Sequence, residues 1–168
     1  MTSYEQEWEV GWQAVTEAAR FAESVRAIAD VRDHKVKADE SPVTIADFGV
    51  QAIIHRRLAE AFPDDPIVAE EDTSELSGTS GPALLDRLIE ALGVSDRSWT
   101  RDTILHQIGL GGHDGGSAGR FWTLDPIDGT KGFIRGDQYA IALSLIEDGR
   151  PVLGILGCPH FLADGAGP

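Results

Sequence analysis

Apolar residues Trp8, Trp12, Val15, Ala19 and Ala22 recur at spacings of four, three, four and three. That spacing puts them on one face of a helix and predicts an N-terminal helix over about residues 4–30. After a polar link at Arg32 to Glu40, Ser41-Pro42-Val43-Thr44 is a helix start signal. Val50, Ile54, Leu58 and Ala61 then form a second apolar stripe, predicting a helix over about 44–62. PDDP at 63–66 has turn chemistry, and the short apolar run Ile67-Val68-Ala69 delivers Glu70 and Glu71 to the end of a strand.

Pro82 to Leu92 is predicted as a third helix closed by Gly93, and Trp99 to Ile108 as a weaker one, both packing outside any site. GLGGHDGGSAG, with six glycines in eleven residues, predicts a mobile loop over 109–119 that is too flexible to pack. Phe121-Trp122-Thr123-Leu124 is expected to be a strand that ends at an acidic motif. Tyr139, Ile141, Leu143 and Leu145 alternate with Ala140, Ala142 and Ser144. One face of that strand is therefore large, and the other is small enough for a helix to approach. EDGR at 147–150 is a hairpin turn, and Val152 to Leu156 is its return strand. The order of elements suits an α+β layer, helices against a mainly antiparallel sheet.

Composition changes this picture little. The 168 residues suffice for one domain with its own core, and 42% hydrophobic with 25% charged residues is ordinary for a folded globular chain. A formal net charge of −14 disfavours a nucleic-acid polymer or an anionic membrane as a broad partner, so an anionic substrate needs cations at its site. A single cysteine, Cys158, excludes an intramolecular disulfide framework and a thiolate metal cluster. With no apolar run of signal or membrane length, the expected location is cytoplasmic.

Candidate chemistry gathers in DPIDGT at 125–130. Asp125 and Asp128 flank Pro126 and Ile127, and a backbone turning there can aim both carboxylates and the Ile127 carbonyl at one point. Such an oxygen-only set suits Mg²⁺ better than Zn²⁺. Gly129 permits close backbone approach, and the amides of Gly129 and Thr130 can face a substrate phosphate if a helix or turn begins there. The five histidines at 34, 55, 106, 113 and 160 show no ligand spacing and read as surface or packing residues. Trp8, Trp12 and Trp122 read as core.

Three blocks occur in order: KADESPVTIAD at 37–47, IVAEED at 67–72 and WTLDPIDGTKGF at 122–133. Together they resemble the inositol monophosphatase superfamily. The Lys-Gly-Phe continuation and FIRGDQYAIALSLIEDGRPVLGILGCP are similar to its 3'(2'),5'-bisphosphate nucleotidase branch, and the resemblance runs from about residue 5 to 161. It implies the N-terminal domain of a sugar-phosphatase-type αβαβα fold. It also implies hydrolysis of 3'-phosphoadenosine 5'-phosphate to AMP and phosphate, dependent on Mg²⁺ and inhibited by Li⁺. Glu70, Asp125 and the Ile127 carbonyl resemble the ligands of one metal, with Asp125 bridging to a second metal held also by Asp128. Asp47 and Thr130 resemble the pair that orients and deprotonates the attacking water. Asp39 is a weaker candidate, and Glu71 either supports the ligands or points away.

The chain departs from the family pattern in one respect. None of its tryptophans, at 8, 12, 99 and 122, precedes an aspartate, whereas the family takes a third acidic ligand from a Trp-Asp block in a second domain. Residues 1–161 are accordingly read as the metal-binding phosphatase domain and 162–168 as a flexible tail, with the second domain missing. Weak turnover and self-association through the face so left open are the expected consequences. The alternatives are an inositol-phosphate phosphatase and a non-catalytic metal-binding or interaction module.

Overall fold

A computed structural model describes residues 4–32 and 42–161. The polar link, the Ser41 start signal, Asp39, His34 and the 162–168 tail lie outside the described residues. The first helix, α1 (Glu5–Arg32), carries Glu5 and Glu7 in its first turn, where the positive end of the helix dipole favours acidic side chains. The second, α2 (Pro42–Ala61), is followed by β1 (Ile67–Ala69) and three helices, α3 (Thr73–Ser77), α4 (Gly81–Gly93) and α5 (Arg101–Gly109). Then come β2 (Arg120–Asp128), a short helix α6 (Thr130–Arg135), β3 (Ala140–Glu147) and β4 (Arg150–Gly157).

The four strands form one sheet in the order β1-β2-β3-β4. Its first pair is parallel and the other two are antiparallel, as expected of a mainly antiparallel sheet. The β3–β4 turn has φ of 47° at Asp148 and 72° at Gly149, the paired left-handed geometry that matches strand twist in a two-residue hairpin.

Helix α2 is the centre of the domain, packed by α1, α4, α5 and β2. It buries Ala46, Phe48, Val50, Ala52, Ile53, Ile54 and Leu58, and all of its residues from Phe48 to His55 are covered by these neighbours. Helix α1 lies on the sheet face made by Trp122, Leu143 and Ile155, where Gly11 permits the approach: a Cβ there would stand 2.6 Å from Ile155 Cδ1.

Four expectations need correction. The helices pack against the large face of β3, because that face offers the apolar area worth burying. Its small face instead forms part of an open trough of about 680 Å³. Trp8 and Trp12 are each 51% exposed and stack on one another with ring centroids 6.0 Å apart. The buried stripe of α1 is Ala14, Val15, Ala18, Phe21, Ala22 and Val25, which leaves the two indoles on its flank. The strand at 121 does not end before the acidic motif, since β2 continues through it to Asp128. Finally, the first part of the glycine-rich segment packs. Gly111 accepts a hydrogen bond from the Ala69 amide, the His113 amide donates to Ile67, and Gly112 bridges Val68. These residues complete the side of β1 that β2 leaves free. The small helices α3 and α6 were not anticipated from the periodicity, being too short to show one.

Among the described residues no helix is long and apolar enough to cross a membrane.

Candidate functional site

The acidic motif is shaped by an irregularity in β2. Asp125 is paired with Ala142 and Asp128 with Ala140, so three residues of β2 advance while β3 advances two. Side chains alternate along a regular strand and would put residues i and i+3 on opposite faces. The extra residue cancels that alternation and brings Asp125 and Asp128 to the same side, the way a bulge re-aims a side chain. Ile127 is buried, 3% exposed, and its carbonyl lies 3.4 Å from the Thr130 hydroxyl, which donates to it. Gly129 has φ +94° and opens α6, where its carbonyl accepts from the amides of Gly132 and Phe133. Any residue with a Cβ would be strained there.

Glu70 arrives from the neighbouring strand. Ala69 is in register with Leu124, so the next residue along β1 comes level with Asp125. Both acids line the trough, beside Val68, Thr123, Ala142 and Ser144. Their carboxyl groups are near enough that a proton held between them would be hydrogen-bonded. Behind them stands α2, with Asp47, Gln51 and His55 four residues apart on one side of the helix, among apolar residues from Phe48 to Ile54. Gln51 and His55 are both 0% exposed. The Gln51 carboxamide donates to the Glu71 carbonyl at 2.7 Å and accepts from the Glu71 amide at 3.1 Å. His55 Nδ1 donates to the Gln107 carbonyl at 2.7 Å, which leaves Nε2 as an acceptor without a partner. Sequence reasoning missed Gln51; its signal was a polar residue every fourth position in a buried helix.

Electrostatically the carboxylates oppose one another. Burial, then the charges of Glu71, Glu70, Asp125 and Glu75, push the Asp47 carboxyl up to about 8. Glu71 is pushed up to about 7, by burial and then by Glu75, Glu70, Asp72 and Asp125. Asp125 is also raised, by burial, Glu70 and Asp128, against the Ile127 amide that hydrogen-bonds it. Every charged neighbour named here is acidic. One oxygen of Asp125, Oδ1, is buried without a hydrogen-bond partner.

A desolvated carboxylate oxygen with no donor, surrounded by like charge and fed by oxygen ligands only, is the arrangement that a hard divalent cation relieves. Among the described residues no three His, Cys, Asp or Glu side chains converge into a ready-made cage. The fold thus sets Glu70 beside Asp125 and turns Asp128 to the same side of β2, each adding its charge to the surroundings of Asp125. It places Asp47 within their field, and through the contact of α2 with α6 sets its helix beside that of Thr130.

Fold and site together define an α+β domain with an acidic, oxygen-donor centre where two strands end. The chain belongs to the inositol monophosphatase family, whose model matches residues 4–165. Similar proteins include 3'(2'),5'-bisphosphate nucleotidase 2 of Candida albicans, 48% identical over 74% of this chain and 37% of that protein. A probable 3'(2'),5'-bisphosphate nucleotidase 3 of Arabidopsis thaliana is 42% identical over 98% of this chain and 50% of its own length. The fold is that of inositol monophosphatase II from Staphylococcus aureus, with a TM-score of 0.57 at 18% identity over 90% of this chain and 41% of that one. The chain spans about half the length of these relatives, or less.

Proposed function

We propose that this chain carries the metal-holding portion of a phosphomonoesterase of the 3'(2'),5'-bisphosphate nucleotidase type, acting on 3'-phosphoadenosine 5'-phosphate to give AMP and phosphate. The observation that carries the proposal is the partnerless Oδ1 of Asp125, set against Glu70 on the side of β2 that also bears Asp128. Identity of 40–48% to proteins of that name over most of the chain supports the substrate class.

In this reading Glu70, Asp125, Asp128 and the Ile127 carbonyl are the oxygen donors that would hold Mg²⁺. Bound there, Mg²⁺ would offset charge on the phosphoryl oxygens and make a water acidic enough to attack near neutral pH. The chain's own residues do the rest. Asp47 is the proton acceptor, and Thr130, held by its bond to the Ile127 carbonyl, orients the water. The turn at Gly129 and Thr130 presents its amides to the substrate phosphate. Trp8, Trp12, Leu156 and Phe161, all at least half exposed near β4, supply the apolar surface through which copies of the chain would self-associate.

Calorimetric titration with Mg²⁺, followed by phosphate release from 3'-phosphoadenosine 5'-phosphate and from inositol 1-phosphate, tests the proposal. Mg²⁺-dependent release favouring the nucleotide is expected. Preference for the inositol ester would move the substrate class, Mg²⁺ binding without release would support a metal-binding module, and release that survives EDTA would overturn the reading.

A further inference from the structure

We propose that Gln51 is a positioning residue for the acidic centre: its carboxamide acts as the last rung of β1, fixing the Glu70-Glu71 backbone so that Glu70 meets Asp125. The inference rests on the reading of Glu70 and Asp125 as ion ligands.

Strand β1 is only three residues long, Ile67–Ala69. One side pairs with β2. The other is completed by the segment after α5, through the His113 amide to Ile67 and the Ala69 amide to Gly111, each at 3.1 Å. Those backbone partners stop at Ala69, one residue short of the acids. Gln51 takes over from there, meeting both the amide and the carbonyl of Glu71 as a neighbouring strand would. A side chain on a helix thereby continues a ladder that the strand is too short to sustain.

The surroundings make this bond stiff. Gln51 is 0% exposed, which shelters its end of both hydrogen bonds from water. A Cβ on Gly111 would stand 2.9 Å from Ala69 Cβ, 3.0 Å from His55 Cε1 and 3.3 Å from Gln51 Nε2. A glycine is therefore needed where the α5 segment passes between β1 and α2. His55, one turn further along α2, ties that helix to the end of α5 through the Gln107 carbonyl. The bare end of β1, which repulsion among Glu70, Glu71, Asp47 and Asp125 would push apart, is held by a neutral group that adds no charge. A carboxylate at 51 would add to the repulsion, and an apolar residue would take these partners from the Glu71 amide and carbonyl.

The test compares the purified chain with Gln51→Met, of similar size but without the hydrogen bonds, and Gln51→Asn, which keeps the amide but is one carbon too short to bridge Glu71. Arg120→Ala, which removes an ion-pair hub away from the acids, serves as the destabilised control. Three quantities are read: hydrogen exchange of the Glu71 amide, Mg²⁺ affinity by calorimetry, and the thermal midpoint. Faster exchange at Glu71 with roughly 10–100-fold weaker Mg²⁺ binding in the Gln51 variants is expected, whereas the control loses midpoint and keeps its affinity. If Gln51→Met does not fold, Gln51→Asn gives the same reading. Unchanged Mg²⁺ affinity despite faster exchange, or an equal loss of affinity in the control, overturns the inference while leaving the ion-site reading standing. A parent chain that binds no Mg²⁺ refutes both. One that binds Mg²⁺ but releases no phosphate counts against the hydrolase reading alone, and the affinity comparison still decides the role of Gln51.

Discussion

Asp125 and Asp128 face the same way because β2 carries one more residue between them than β3 does. Asp128 is exposed and Asp125 half-buried, and the charge of Asp128 raises the cost of ionising Asp125. Asp128→Asn should therefore relieve Asp125 and leave the fold intact, with stability changed by no more than about 0.5 kcal/mol. On the proposed function it should also abolish Mg²⁺-dependent phosphate release. Urea denaturation and a phosphate assay read the two effects separately. Turnover equal to the parent chain would remove Asp128 from the site.

Gly49 meets Phe21 where α1 crosses α2. A Cβ at position 49 would overlap the Phe21 ring, and Phe21 is 6% exposed with little room to retreat. Gly49→Ala should cost about 1–3 kcal/mol through this overpacking, although alanine is the better helix former. Combining it with Phe21→Leu should restore part of the loss. Independent, additive effects in denaturant melts would argue that the two positions do not touch.

Arg120 joins acids from α1, β3 and the connection after α2: Asp65 through Nε at 2.9 Å, Glu7 through one terminal nitrogen at 3.0 Å and Glu147 through the other at 3.2 Å. Asp65 also accepts from the Trp122 indole, and Glu147 from the Tyr4 hydroxyl. An ammonium has no planar fork to reproduce this geometry, so Arg120→Lys should destabilise the chain by about 2 kcal/mol. A chemical-denaturation midpoint unchanged by the substitution would show that the network contributes nothing net.

His55 supplies a pH dependence. Burial lowers its pKa from 6.5 to about 4, against the bond to Gln107. The unfolded chain takes up a proton near pH 6.5 that the folded chain refuses until about pH 4. Stability from this group is therefore intact above pH 6.5 and falls as pH drops from there toward 4, by at most on the order of 3 kcal/mol. His55→Asn should flatten that part of the stability profile relative to the parent. An identical slope in both chains would place the uptake elsewhere.

Much of the architecture was legible because burial imposes a period on the sequence. The stripe Val50, Ile54, Leu58 located α2, and the alternation of Ile141, Leu143 and Leu145 located β3, although not the face its helices cover. The turn chemistry of EDGR fixed the hairpin. The misreadings have physical causes as well. Pro126 and the acids on either side of it look like a strand end, yet a bulge lets β2 run on through them. The glycines at 111 and 112 look like freedom, yet at Gly111 the missing side chain is what permits contact.

The ordered acids Asp47, Glu70, Asp125 and Asp128, with the family blocks around them, were set by the sequence alone: oxygen ligands and a glycine turn are chemical types, visible without coordinates. Which of these acids would meet was decided by the tertiary structure, because register, the extra residue in β2 and the short reach of β1 are relations between segments far apart in the chain. The same holds for Gln51. In sequence it is one polar residue in a helix, and only the arrival of Glu71 beside it gives its two hydrogen bonds something to hold.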